Sequence, residues 1–139
     1  MDDAVDLLRQ HTALVVVWRL VVWSCVGYLL ILAAVVFLRP TAARRFLDGY
    51  ASSPRINFLE AVLRLIAGLG FMGASPEMKL SVVFFWFGAV LVATAIPMMF
   101  LYGVHRRFAS WAIAFAKRIL KLYGALALAL GGLVIWALV

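Results

Sequence analysis

Four apolar runs dominate this chain, at about Leu14 to Leu38, Ile56 to Ala74, Leu80 to Tyr102 and Ile119 to Val139. Each is close to the roughly 20 residues that a helix needs to cross a ~30 Å hydrocarbon core. Inside hydrocarbon every backbone N–H and C=O must be paired within the protein, so a spanning segment is a helix or a strand of a closed barrel. Barrel strands alternate apolar and polar side chains over about ten positions, whereas these runs are continuously apolar. The expected fold is an all-α membrane protein, a single four-helix transmembrane domain over residues 1–139. Composition agrees: 67% of the 139 residues are hydrophobic and 14% charged, against about 45–50% and about 25% in soluble domains. Four spans use most of the chain, which excludes a soluble catalytic domain carried on an anchor.

A cleavable signal peptide opens with a basic segment and a short apolar core. This chain opens Met1-Asp2-Asp3 ahead of its long first run, so the N-terminus is expected to be retained. Asp2, Asp3 and Asp6 suit the first turn of a helix, where unpaired N–H groups favour carboxylates. Val5, Leu8 and Thr12 then share a face, which predicts a short surface helix leading into the first span.

The net charge of +7 divides sharply between the two sides. Arg39, Arg44, Arg45 and Arg55 lie in the first connection, and Arg106, Arg107, Lys117, Arg118 and Lys121 in the third, against Asp48 alone. That side sums to +8; the other, with Arg9 and Lys79 against Asp2, Asp3, Asp6 and Glu77, sums to −2. Lys and Arg in short loops face the cytoplasm, so both termini are expected outside, in the periplasm of a bacterial cell. Aromatic residues fit this frame, since Trp and Tyr favour the headgroup level. Trp18, Trp86 and Trp136 fall near the outer boundary and Tyr102, Trp111 and Tyr123 near the inner one, while Trp23 and Tyr28 lie deeper.

The halves of the chain match each other over 37–68 and 100–131, at an offset of 62 to 63 residues. Phe37-Leu38 pairs with Phe100-Leu101, Arg44-Arg45-Phe46 with Arg106-Arg107-Phe108, and Arg55-Ile56 with Arg118-Ile119. Leu59, Leu63, Leu65 and Gly68 pair with Leu122, Leu126, Leu128 and Gly131. An even number of spans separates the halves, so the expected relation is a parallel repeat about the membrane normal, as two similar helical hairpins. Each half also resembles the YjeT-like family of very small bacterial inner-membrane proteins, in which a basic-aromatic connection joins a first span to a glycine-rich second one. The carrying residues are Phe37-Leu38-Arg39-Pro40, Arg44-Arg45-Phe46 and Arg64-Leu65-Ile66-Ala67-Gly68, then Pro97-Met98-Met99-Phe100-Leu101-Tyr102, Arg106-Arg107-Phe108 and Leu122-Tyr123-Gly124. The resemblance implies an inner-membrane location and hairpin architecture, and carries over no site residue.

In the third connection Phe108, Trp111, Ala112 and Phe115 fall at i, i+3, i+4 and i+7, on one helical face flanked by cations. An amphipathic helix of this kind lies in the membrane plane, so an interfacial helix is expected between spans three and four. Arg44, Arg45, Arg106, Arg107, Lys117, Arg118 and Lys121 are the candidates for anionic lipid headgroups or a partner protein. The first connection, bracketed by Pro40 and Pro54, is a weaker copy, and Ser52-Ser53-Pro54 offers a cap for span two. Topology accounts for the basic residues, so nucleic acid is not an expected partner.

Ionisable residues within spans point to function by default, which singles out Arg19, Glu60 and Arg64. Glu60 and Arg64 are i and i+4, the order that permits a local ion pair. At 1.5 Å per residue Glu60 lies roughly 17 Å from Arg19 along the normal, so the two are not in contact and the Glu60–Arg64 pair is local. Small multidrug-resistance transporters share the four-span size but place an acid in the first span, and here that span has none. His11 and His105 fall on opposite sides, Cys25 is the lone cysteine, and no catalytic triad, phosphate loop or HExxH motif occurs. The chain is therefore expected to be non-enzymatic and to need no cofactor. Small residues at i, i+4 let helix backbones approach: Gly70 and Ala74, Ala89 and Ala93, Ala125 and Ala129, Ala127 and Gly131. Pro97 is expected to kink span three. The leading expectation is an accessory or scaffold subunit that packs with another membrane protein or itself. The alternatives are a small transporter or channel using Glu60 and Arg64, or a binder of anionic lipid.

Overall fold

The structure, a computed structural model, describes residues 2–139, with side chains from residue 9 onward. Among these residues there are six α-helices: α1 (Asp2–Leu38), α2 (Pro40–Gly49), α3 (Pro54–Ala74), α4 (Ser81–Phe100), α5 (Tyr102–Arg118) and α6 (Leu120–Leu138). A short 3-10 turn, Ser75–Glu77, follows α3. Four stretches are long and apolar enough to cross a membrane: Arg9–Leu38, Pro54–Glu77, Ser81–Phe100 and Leu120–Leu138. The chain is thus an all-helical protein of multi-pass membrane character. The expected surface helix is part of α1, which continues unbroken from Asp2 into the first span; the face of Val5 and Leu8 lies outside the described side chains.

Local chemistry sets the helix ends. Pro40 has no N–H to bond to Val36 and disfavours the helical region for Arg39, whose φ of −139° and ψ of 66° turn the chain out of α1. Ser53 caps α3 as expected, its Oγ accepting from the Ile56 N–H at 3.2 Å, with Pro54 at the first helical position. Span three ends earlier than expected, at Phe100, with Pro97 inside α4 and the chain leaving the helix at Leu101. Buried Asn57 explains the place: its Nδ2 donates to the Met98 carbonyl at 2.7 Å, the acceptor that a continuing helix would offer to the Tyr102 N–H.

The helices pack in the order α6, α1, α3, α4. Helix α3 lies against both α1 and α4, and α6 packs on α1. This departs from two equivalent hairpins: α1 and α3 are neighbours, but the packing partner of α6 is α1, while α4 packs on α3. The α3/α4 contact is the closest. A Cβ added at Gly68 would lie 2.8 Å from the Gly88 carbonyl oxygen and 3.0 Å from the Val92 nitrogen. Gly88 faces Gly68 and Met72 in the same way. On the neighbouring side of α3, Gly70 receives Val21 and Gly73 lies beneath the Trp18 indole, both from α1. Helix α6 presents Gly124 to Val36 and Gly131 to Leu30.

Two apolar clusters follow from this order. One, at the end where α3 turns into α4, joins Val22, Val26, Phe71, Phe84 and Val134; the other joins Leu32, Val36, Leu47, Leu120 and Ala127 near α2 and the start of α6. At the α3–α4 turn Arg19 bonds to Glu77 at 3.4 Å and to the Leu138 carbonyl at 3.1 Å, and the Lys79 N–H donates to the Ala137 carbonyl. Arg19 therefore has a tying role at this end.

Gly68→Ala and Gly88→Ala should each lower the stability of the detergent-solubilised protein by about 1–3 kcal/mol, the usual range for overpacking. Gly103→Ala and Gly132→Ala, whose added Cβ would meet nothing within 4 Å, should be neutral. Thermal unfolding followed by circular dichroism checks the contrast; equal effects at all four positions would refute the close crossing.

Candidate functional site

Helix α5 begins where α4 ends and finishes where α6 starts, so it runs between the two outer members of the packing order. Beneath it is a cavity of about 740 Å³ walled by α1, α2, α3, α5 and α6, with Leu91 contributed by α4. Its walls are mainly apolar: Val21, Leu47, Leu63, Ile66 and Ala67 on one side, and Ala109, Ala112, Ile113 and Ala116 of α5 on the other. The polar groups are Glu60, Arg64, His105 and three tyrosines, Tyr28, Tyr50 and Tyr123, with Ser24 and Cys25 beside them.

Glu60 and Arg64 thus share one site, but the expected ion pair between them is absent among the described residues. The carboxylate is drawn instead to a turn. Ala51 adopts a left-handed backbone with φ of 50°, a conformation that disfavours a residue with a Cβ. Its N–H donates to both Glu60 oxygens, at 3.0 and 3.3 Å, and its carbonyl accepts from the Tyr102 hydroxyl at 3.3 Å. Glu60 accordingly holds the α2–α3 turn in its strained form. Arg64 is left with one weak contact, 3.5 Å to Thr94 Oγ1, and otherwise faces the cavity.

His105 sits near the Arg64 charge. Burial, then the Arg64 guanidinium, hold its imidazole below the ordinary value of 6.5, so it is neutral at pH 7. Burial and a hydrogen bond with Tyr28 push the Tyr50 phenol up, so it stays protonated throughout the physiological range. The three tyrosines and His105 were not expected at a site. Each stands alone in its own segment, and no local spacing links residues 28, 50, 105 and 123.

The other sequence candidates separate into groups. Gly70, Ala74, Ala127 and Gly131 are buried in helix contacts, as their spacing predicts. Ala93, Ala125 and Ala129 face away from the bundle and Ala89 is half-buried. Arg45, Arg106 and Arg107 are exposed, Arg106 lying 6.0 Å from the Tyr102 ring. Arg44, Lys117, Arg118 and Lys121 gather around a second hollow, and Lys117 pairs with Asp48, joining α5 to α2. On α5 the rings of Phe108, Trp111 and Phe115 are exposed, and Phe108 and Ala112 of that predicted face both border the cavity.

Two measurements test this geometry. Glu60→Ala should cost about 1.5–3 kcal/mol, the range for a hydrogen bond to a charged group, and Glu60→Gln, which keeps an acceptor, clearly less; thermal unfolding in detergent separates them, and equal losses would exclude the turn-holding role. His105 should titrate below 6.5 by imidazole NMR, and Arg64→Gln should raise its midpoint by removing a like charge; an unchanged or lowered midpoint would refute their coupling. Comparisons with family models, with curated proteins and with solved structures find no match for this chain.

Proposed function

We propose that this chain is a non-enzymatic protein of the bacterial inner membrane that holds an apolar, acid-bearing small molecule in the cavity beneath α5, as a small carrier does. The observation that carries the reading is the Arg64 guanidinium, without an ion pair, facing a largely apolar, open-sided cavity. A volume of about 740 Å³ falls within the roughly 300–1,000 Å³ of small-molecule sites, which combine apolar walls with a few placed polar groups. Arg64 would take the acid, since Glu60 is already engaged by the Ala51 N–H. Neutral His105 and the phenols of Tyr28, Tyr50 and Tyr123 would supply further hydrogen bonds.

Charge supports the orientation: the +8 end, carrying α2 and α5, is assigned to the cytoplasm and both termini to the periplasm. The exposed Phe108, Trp111 and Phe115 rings support an interfacial α5 with those rings in the acyl region. The common order of span, basic helix and span supports reading the halves as a repeat related to the YjeT-like hairpin. An accessory role beside another membrane protein remains a second reading, favoured by the outward face of α6, where Ala125 and Ala129 are exposed.

Native mass spectrometry of protein extracted in nanodiscs tests the carrier reading. The wild type should retain a bound acidic amphiphile. Arg64→Gln should lose it, and so should Ala112→Phe, which fills the cavity from α5. Retention in the filled variant would overturn the proposal. For the second reading, Ala129→Leu should disrupt a co-purified complex without lowering stability, whereas Gly131→Leu should destabilise the α1/α6 contact itself, because Leu30 occupies that space.

A further inference from the structure

A second hollow, about 430 Å³, brings together residues from both basic connections. Arg44 of α2 meets Lys117 and Arg118 at the end of α5 and Lys121 in the first turn of α6. Asp48 neutralises Lys117, but Arg44, Arg118 and Lys121 form no ion pair or hydrogen bond through their side chains among the described residues. The apolar part of the lining comes from the other direction: Val36 and Phe37 close the first span and Leu122 opens the last. One hollow therefore straddles a span boundary, with Arg44, Lys117 and Arg118 beyond it, Lys121 in the first turn of the last span, and hydrocarbon side chains within it.

Helix ends add to the positive potential. Leu120, Lys121 and Leu122, the first turn of α6, form one wall, and Pro40, the first residue of α2, stands opposite. Neither helix carries a side-chain cap at its N-terminus, so both leave backbone donors unpaired at the positive end of the helix dipole. Arginine pairs with phosphate oxygens through a planar fork, and two arginines with one lysine are unengaged here. An anion that also has an apolar body fits both halves of the lining.

We infer that this cleft is a specific site for the phosphate headgroup of an anionic phospholipid, its acyl chains running along Phe37 and Leu122. The site shares no lining residue with the cavity under α5. It also separates the basic residues by role: Arg44, Arg118 and Lys121 bind, while Arg106 and Arg107 add only general charge.

Native mass spectrometry of the purified full chain, titrated with phosphatidylglycerol and in parallel with phosphatidylcholine, tests the site. Wild type should bind phosphatidylglycerol in preference. The Arg118→Gln/Lys121→Gln double variant should weaken that binding by at least about tenfold, from the charge-assisted hydrogen bonds to phosphate that it removes. Arg106→Gln/Arg107→Gln, an equal change in charge outside the cleft, should have a clearly smaller effect, because exposed charges beyond a screening length of about 10 Å act weakly on the site. All four residues are exposed or half-buried, and circular dichroism confirms that the variants are folded. Equal losses in the two double variants, or equal binding of phosphatidylcholine, would overturn the inference. Inorganic phosphate should compete only weakly; full displacement at millimolar phosphate would assign the cleft to a soluble phosphate instead and would likewise overturn it.

Discussion

Backbone contact between α3 and α4 at Gly68 and Gly88 is the constraint on which the rest of the arrangement depends. In a bilayer the lipid tails are as apolar as the helices, so association relies on close packing rather than on a hydrophobic drive. Helix α3 carries small residues towards two partners: Gly68 towards α4, and Gly70 and Gly73 towards Val21 and Trp18 of α1. That makes α3 an inner helix with α4 beside it. Helix α1 is then left with its other side for α6, where Gly124 and Gly131 accept Val36 and Leu30.

The cavity is a consequence of this order. Because α4 and α6 pack on different partners, the chain joining them must cross between, and α5 is that crossing. Its 17 residues reach about 25 Å at 1.5 Å per residue, of the order of three interhelical spacings of about 8–10 Å. Small side chains, Ala109, Ala112 and Ala116, face inward beneath it and leave the space unfilled. Polar contacts hold the crossing in place: Lys117 to Asp48, and Tyr102 to the Ala51 carbonyl that Glu60 positions. Glu60 is therefore both a cavity residue and part of the support for the helix that covers the cavity.

Much of this was legible from local pattern. The spans, the Ser53 cap, the break at Pro40 and the buried roles of Gly70, Ala74, Ala127 and Gly131 each depend on neighbours within a few residues, and such features can be read along a chain. The Gly68/Gly88 crossing was not, because single glycines on two helices carry no register between them. The Glu60–Arg64 pair was misjudged for a related reason: i, i+4 spacing brings two groups within reach, but the Ala51 N–H, nine residues away at a strained turn, takes the carboxylate.

By itself the sequence determined that this chain is a set of membrane-crossing helices with its positive charge concentrated in two connections, because hydropathy and loop charge are sums over consecutive residues. Tertiary structure alone decided which helices touch, and so which charges meet. It placed Arg64 with His105 and three tyrosines from separate segments, and it divided the basic residues into a clustered set around Arg44 and Arg118 and a dispersed remainder. The physical reason is that side chains on separate helices come together only when two backbones are close enough to fix their relative register. In this protein that closeness comes from glycines whose partners no local spacing reveals.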